Sequence, residues 1–88
     1  MRIRKIVYSQ RFGRALRRID RRYVHGIAER EKMFLQNCFD PRLKTHKLHG
    51  ALDGYWSFSL TYSHRVLFRF REKGIVEFIN VGGHSIYD

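Results

Sequence analysis

Cysteine is almost absent from this chain. Cys38 stands alone, which rules out an intrachain disulfide and any cysteine-rich zinc module. Its place in an apolar helical pattern marks it as a core thiol, and such a thiol suits a reducing compartment, so a cytoplasmic setting is expected. Long hydrophobic runs are missing too. No stretch of about 18 apolar residues occurs, so no membrane span is expected. The N-terminal MRIRKIVYSQRFGR lacks the apolar core of a signal peptide. Acidic residues are the third shortage, with eight Asp and Glu against 18 Lys and Arg and a formal net charge of +10. A two-metal nuclease needs clustered carboxylates. Here Asp20, Glu29, Glu31, Asp40, Asp53, Glu72, Glu77 and Asp88 are scattered, and no metal or other cofactor is expected.

What is present is enough for a folded core. The 88 residues, 1–88, make one domain. Seven Phe, five Tyr and one Trp in a chain that is 43% hydrophobic argue against disorder. The cationic excess repels itself in so small a body, so it implies a polyanionic partner. Nucleic acid is the first reading, and an acidic protein or an anionic membrane surface competes with it.

Ile3 to Tyr8 reads as a strand buried on more than one side, and Ser9 as an N-cap. Phe12, Ala15, Leu16 and Ile19 at i, i+3, i+4 and i+7 predict a helix from Gln10 to about Asp20. Arg11, Arg14, Arg17 and Arg18 form its solvated or partner-binding face. A second helix is predicted from about Arg22 to Asn37. Gly26 within it predicts a close contact or a bend, and Asp40-Pro41 marks its end. Leu43 to Asp53 is a polar loop. Tyr55 to Tyr62 then alternates, with Trp56, Phe58, Leu60 and Tyr62 on one side and Ser57, Ser59 and Thr61 on the other. Arg65 to Arg71 sets Val66, Phe68 and Phe70 against Arg65, Arg69 and Arg71. Glu72-Lys73-Gly74 is a turn, Ile75 to Val81 a central strand apolar on both faces, and Gly82-Gly83 releases the tail. The order β-α-α-β-β-β predicts an α+β fold of two layers: a mostly antiparallel four-stranded sheet on an N-terminal helical hairpin.

The helices should cover the Trp56, Phe58, Val66 and Phe68 face. The other face then presents Ser57, Ser59, Arg65 and Arg69, flanked by Lys44, His46, Lys47 and His49 from the preceding loop and His84 and Tyr87 from the tail. Fixed cations with imidazoles suit metal-independent RNA cleavage. A base takes the 2′-hydroxyl proton, cations hold the phosphate as its oxygens gain charge, and an acid protonates the leaving 5′-oxygen. Histidine can do either proton transfer near neutral pH. The candidate catalytic residues are His46, Arg65, His84 and Tyr87, although Tyr87 could equally anchor the C-terminus. Lys44, Lys47, His49 and Arg69 are candidate RNA or phosphate ligands. His46, His49 and His84 imitate a zinc set but bring no Cys or carboxylate ligand with them. His25 reads as solvent-exposed, and His64 as a structural residue of a strand-to-strand turn.

The ordered set His46-Lys47-Leu48-His49-Gly50, Gly54-Tyr55-Trp56-Ser57, Tyr62-Ser63-His64-Arg65-Val66-Leu67-Phe68 and Val81-Gly82-Gly83-His84-Ser85-Ile86-Tyr87 resembles the RelE/ParE superfamily of type II toxins, most of all its YafQ-like branch. The resemblance implies a microbial-RNase-like fold, cleavage of mRNA in the ribosomal A site with contacts to rRNA, and neutralisation by an acidic cognate antitoxin. Operator DNA binding would belong to the toxin–antitoxin complex alone. By the same resemblance His46 matches the loop histidine and His84 the C-terminal histidine of YafQ-like toxins. Arg65 matches the strand arginine that holds phosphate in RelE-like toxins, and Tyr87 falls at or next to the C-terminal aromatic position. Ser59 and Ser63 stand where YafQ-like toxins carry a further His and an Asp, and His64 adjoins the second of these. His84 is then the general acid, and His46 the base or a phosphate ligand. Two other functions compete: a ParE-like poison of gyrase, which needs no catalytic histidine, and a nucleic-acid-binding module without activity.

Overall fold

The computed structural model describes residues 2–87; Asp88, counted among the carboxylates above, lies outside them. Strand β1 (Lys5–Tyr8) leads into helix α1 (Gln10–Arg17), then helix α2 (Val24–Gln36). Four strands follow: β2 (His46–Lys47), β3 (Trp56–Ser59), β4 (Arg65–Phe70) and β5 (Ile75–Gly82). The sheet order is β1-β5-β4-β3-β2. Only the β1–β5 pairing is parallel. The α+β architecture agrees with the sequence expectation. The extra strand is the two-residue β2, hidden in a segment whose polar composition reads as loop.

Ser9 caps α1 as its composition suggests. Its Oγ accepts a hydrogen bond from Phe12 N at 3.0 Å and donates one to the Ile79 carbonyl at 2.7 Å, so the cap also ties α1 to β5. β1 is an edge strand and not buried on several sides; Ile6 and Val7 are half-buried, Lys5 and Tyr8 exposed. Arg2, Arg4 and Lys5 guard that edge against pairing with another chain. Gly26 marks neither a contact nor a bend. It is exposed within an unbroken α2, with open space where a Cβ would stand.

The core lies between the helices and one face of the sheet. Phe34 of α2 is fully buried there, its ring 4.6 Å from that of Phe58 and about edge-on to Phe68 and Phe78. Trp56, Phe58, Val66, Phe68 and Phe70 take the helix side as the alternation predicts. Cys38 is buried, and burial raises its thiol pKa.

A bulge sets the other face. Leu67 pairs with Asn80 while Phe68 pairs with Phe78, leaving Ile79 as the extra residue on β5. Without it Asn80 would share the side of Phe78. With it, Asn80 turns to the side away from the helices and Val81 completes the core. This is why β5 reads as apolar on both faces yet keeps a single polar row.

Candidate active site on the sheet face

On the side away from the helices, pairing register builds rows across the strands. His46, Ser57, Leu67 and Asn80 share one row. Ser59, Arg65 and Gly82 form the next. Arg69 and Glu77 stand opposite each other further along.

The C-terminal segment does not leave this face open. A 3-10 turn at His84–Tyr87 follows β5, and the chain folds back over the sheet. Gly82 permits that return, because a Cβ there would lie 2.8 Å from Ile86 Cγ2. Tyr87 reaches across to Ser57, their hydroxyl oxygens 2.6 Å apart. Ser57 is therefore buried beneath Tyr87, and Leu67 and Ser59 on the same face are buried too.

This return gathers candidates that are distant in sequence. The His84 ring packs edge-on against Tyr87, with centroids 5.5 Å apart, and Tyr87 touches Ser57, the register partner of His46. His46 is exposed, and its Nδ1 lies 2.9 Å from the Lys44 carbonyl. A carbonyl only accepts, so Nδ1 carries the proton and the neutral ring keeps its lone pair on Nε2. That is the tautomer a general base requires.

Arg65 is half-buried, and its Nη1 donates to the carbonyls of Thr61, Tyr62 and His64, each at 3.2 Å. The guanidinium thus fixes the β3–β4 turn, and its other nitrogens make no hydrogen bond among the described residues. Arg65 also lines a basic cleft with Lys44, Arg30, Arg42 and Ser59. Arg30 and Arg42 went unnoticed in the sequence. Arg30 lies in an ordinary helical stretch, and Arg42 follows a proline; their convergence is tertiary. Arg30 Nη1 donates to the Arg42 carbonyl at 2.8 Å. Arg42 pairs with Asp40 at 2.7 Å and holds its carboxyl down to about 2.

Other candidates fall elsewhere. Lys47 pairs with Trp56, so strand alternation places it on the helix side of the sheet edge. Arg69 is engaged by Glu77, its Nε 2.7 Å from Oε1, which raises the arginine pKa further. His49 is exposed in the loop after β2, with no helix-capping bond from its side chain. His64 is structural in its contacts. Its Nδ1 lies 2.6 Å from Thr61 Oγ1 and its ring packs edge-on against Tyr23. Among the described residues, no three His, Cys, Asp or Glu side chains converge on a metal-sized site. No helix of the described residues is long and apolar enough to cross a membrane. The α1 arginines are not simply solvated. Arg11, Arg14 and Arg18 line a second groove whose far wall includes Gly83 and Ile86.

No family model matches the chain, and no curated protein matches it either. Solved structures do. YafQ from E. coli strain BL21(DE3) superposes with a TM-score of 0.77 over 96% of this chain and 97% of its own, at 17% identity. A YoeB/ParE toxin from Agrobacterium tumefaciens gives 0.74 over 92% and 99%, at 27% identity. The RelBE2 toxin–antitoxin complex from Mycobacterium tuberculosis gives 0.67 over 91% and 96%, at 18% identity. These likenesses span nearly the whole chain, and they show that it carries the fold shared by YafQ and the YoeB/ParE toxin.

Proposed function

We propose that this protein is the toxin of a type II toxin–antitoxin pair and acts as a metal-independent, ribosome-dependent mRNA endoribonuclease. One observation carries the enzymatic reading. His46, with its proton fixed on Nδ1 by the Lys44 carbonyl, stands in the same strand row as Ser57, over which the tail brings Tyr87 and His84.

In this reading His46 Nε2 takes the proton from a 2′-hydroxyl. The 2′-oxygen attacks the adjacent phosphorus, the bond to the 5′-oxygen breaks, and His84 protonates that oxygen as it leaves. The products are a 2′,3′-cyclic phosphate and a free 5′-hydroxyl. Arg65 and Lys44 stabilise the charge that gathers on the phosphate oxygens. Tyr87, its hydroxyl held by Ser57, presents its ring to the nucleotide. Carrying a nucleobase and phosphate to so basic a surface, in a chain of net charge +10, needs no further electrostatic help.

The antitoxin partner is supported by the likeness to a structure solved as a toxin–antitoxin complex. An acidic segment laid over the cationic surface would occlude the same face. mRNA seated in the ribosomal A site, with flanking rRNA, is the proposed substrate environment.

The test is brief induction in growing cells of wild type and of His84→Ala, with primer extension on cellular mRNA. Cuts phased to codons in wild type and absent from the variant support the reading. Growth arrest without cuts would transfer the protein to the gyrase-poison class. Cuts that persist at the wild-type level in the variant would remove His84 from the chemistry.

A further inference from the structure

The β3–β4 turn holds the most exposed large hydrophobic side chain described, Tyr62 at 98%. Strand alternation read from sequence puts it on the core side with Trp56 and Phe58. The strand ends at Ser59, however, and the turn swings Tyr62 into solvent. The turn that carries it is firmly built. Thr61 Oγ1 accepts from Ser63 N at 3.2 Å and His64 N at 3.0 Å, and Leu60 N bonds the His64 carbonyl at 2.9 Å. Arg65 Nη1 bridges three of the turn's carbonyls. An aromatic ring held out in water on a rigid turn gains nothing for folding.

Beside it lies the cleft of Arg30, Arg42, Lys44, Ser59 and Arg65, about 460 Å³, lined by four cations and no carboxylate. Three of those cations are held in place from behind: Arg30 by the Arg42 carbonyl, Arg42 by Asp40, Arg65 by the turn. Lys44 has no ion pair among the described residues and sits in left-handed backbone, φ 54°. The cleft shares Arg65 and Ser59 with the strand row next to that of Ser57 and His46. Two residues along a strand are about 7 Å, on the order of one nucleotide step in an extended single strand.

We propose that Tyr62 and this cleft form a second nucleotide subsite on single-stranded RNA: Arg30 and Arg42 hold the phosphate next to the reacting one, which Arg65 and Lys44 hold, and the Tyr62 ring stacks on the neighbouring base. The proposal rests on the ribonuclease reading above. Cations alone would equally hold an acidic peptide. The free aromatic ring favours nucleic acid, because bases stack on such rings regardless of sequence.

The experiment is fluorescence anisotropy at low salt, with a labelled single-stranded RNA made uncleavable by 2′-O-methylation and purified wild type, Tyr62→Ala and Tyr62→Phe. Tyr62→Ala should weaken binding at least about fivefold, from the worth of one stacked base. Tyr62→Phe should restore it. Arg30→Gln and Lys44→Gln should each flatten the dependence of log affinity on log salt by about one charge. Tyr62 touches no core residue, so unchanged melting of its variants certifies the comparison. Equal affinity of Tyr62→Ala and wild type overturns the subsite. So does poly-glutamate displacing the RNA equally from both, which would assign the cleft to an acidic protein segment. Wild type that cuts mRNA in cells but shows no Tyr62 dependence sinks the subsite alone. Wild type that neither cuts mRNA nor binds the oligomer sinks the ribonuclease reading along with it.

Discussion

Substituting Gly82 by Ala tests whether the C-terminal return over the sheet is what assembles the site. The backbone at Gly82 suits any L-residue, so the sole obstacle is the Cβ, 2.8 Å from Ile86 Cγ2. Two responses are open. The tail can stay and be squeezed, at the cost of overpacking, about 1–3 kcal/mol. Or it can lift, losing the Tyr87–Ser57 hydrogen bond, worth about 1 kcal/mol net, and the half-burial of Ile86, worth about another 1 kcal/mol. The two costs are similar, so the loss settles near 2 kcal/mol either way. For a domain of this size that lowers Tm by roughly 8–16 °C. Adding Ile86→Ala removes the clashing atom. The double variant should therefore melt close to Ile86→Ala alone, with a coupling of about 1–2 kcal/mol. Thermal unfolding followed by circular dichroism gives the stabilities, and growth arrest on induction reports the site. Either response strains or displaces His84 and Tyr87, so Gly82→Ala should arrest growth weakly. Wild-type melting and full arrest in Gly82→Ala would refute the reasoning, as would an equal loss from Gly82→Ala with or without Ile86→Ala.

Three further outcomes follow from the packing. Phe34→Ala removes a ring fully buried among Phe58, Phe68 and Phe78. It should cost about 3–5 kcal/mol, most of the stability of so small a domain, and urea unfolding will show it. Ser9→Ala should cost about 1 kcal/mol for the lost α1 cap, more if the Ile79 carbonyl is left dry, by the same measurement. Asp40 has its pKa depressed to about 2, first by the Arg42 side chain and then by the Arg42 backbone N–H. The carboxylate therefore stabilises the fold above its unfolded pKa, near 4, and that contribution fades as pH falls from there through about 2. Melting of wild type and Asp40→Asn should differ near neutral pH and converge at the acid end of this window; a gap that stays constant would contradict it.

Much of the fold is legible in the residues. The i, i+3, i+4, i+7 spacing of α1, the Ser9 cap and the strict alternation of Trp56–Phe58 and Val66–Phe68–Phe70 come from local rules, and local rules decide those elements. What escaped is tertiary. β2 is a strand only because β3 pairs with it, which also sends Lys47 to the far side of the sheet edge. The bulge at Ile79 reassigns Asn80, and no periodicity signals it. Tyr62 continues the alternation of β3 in the sequence but lies past the last paired residue. Arg69 reads as a free cation until β5 places Glu77 opposite it. For the site, His46, His84, Tyr87 and Arg65 could be named individually. That Tyr87 and His84 lie against the row of Ser57 and His46 depends on the tail folding back after Gly82, for which the Gly82-Gly83 pair is the sole sequence trace. Arg30 and Arg42 leave none, since a cleft between a helix and a loop has no pattern along the chain.

The most direct measurement uses purified components: mRNA programmed on ribosomes, mixed with wild type, His46→Gln or His84→Gln, and the ends mapped. The account predicts cuts in the A-site codon with cyclic-phosphate 3′ ends for wild type, intact mRNA for both variants, and no cutting without ribosomes. Intact mRNA with folded wild type, or equal cutting by all three proteins, would contradict it.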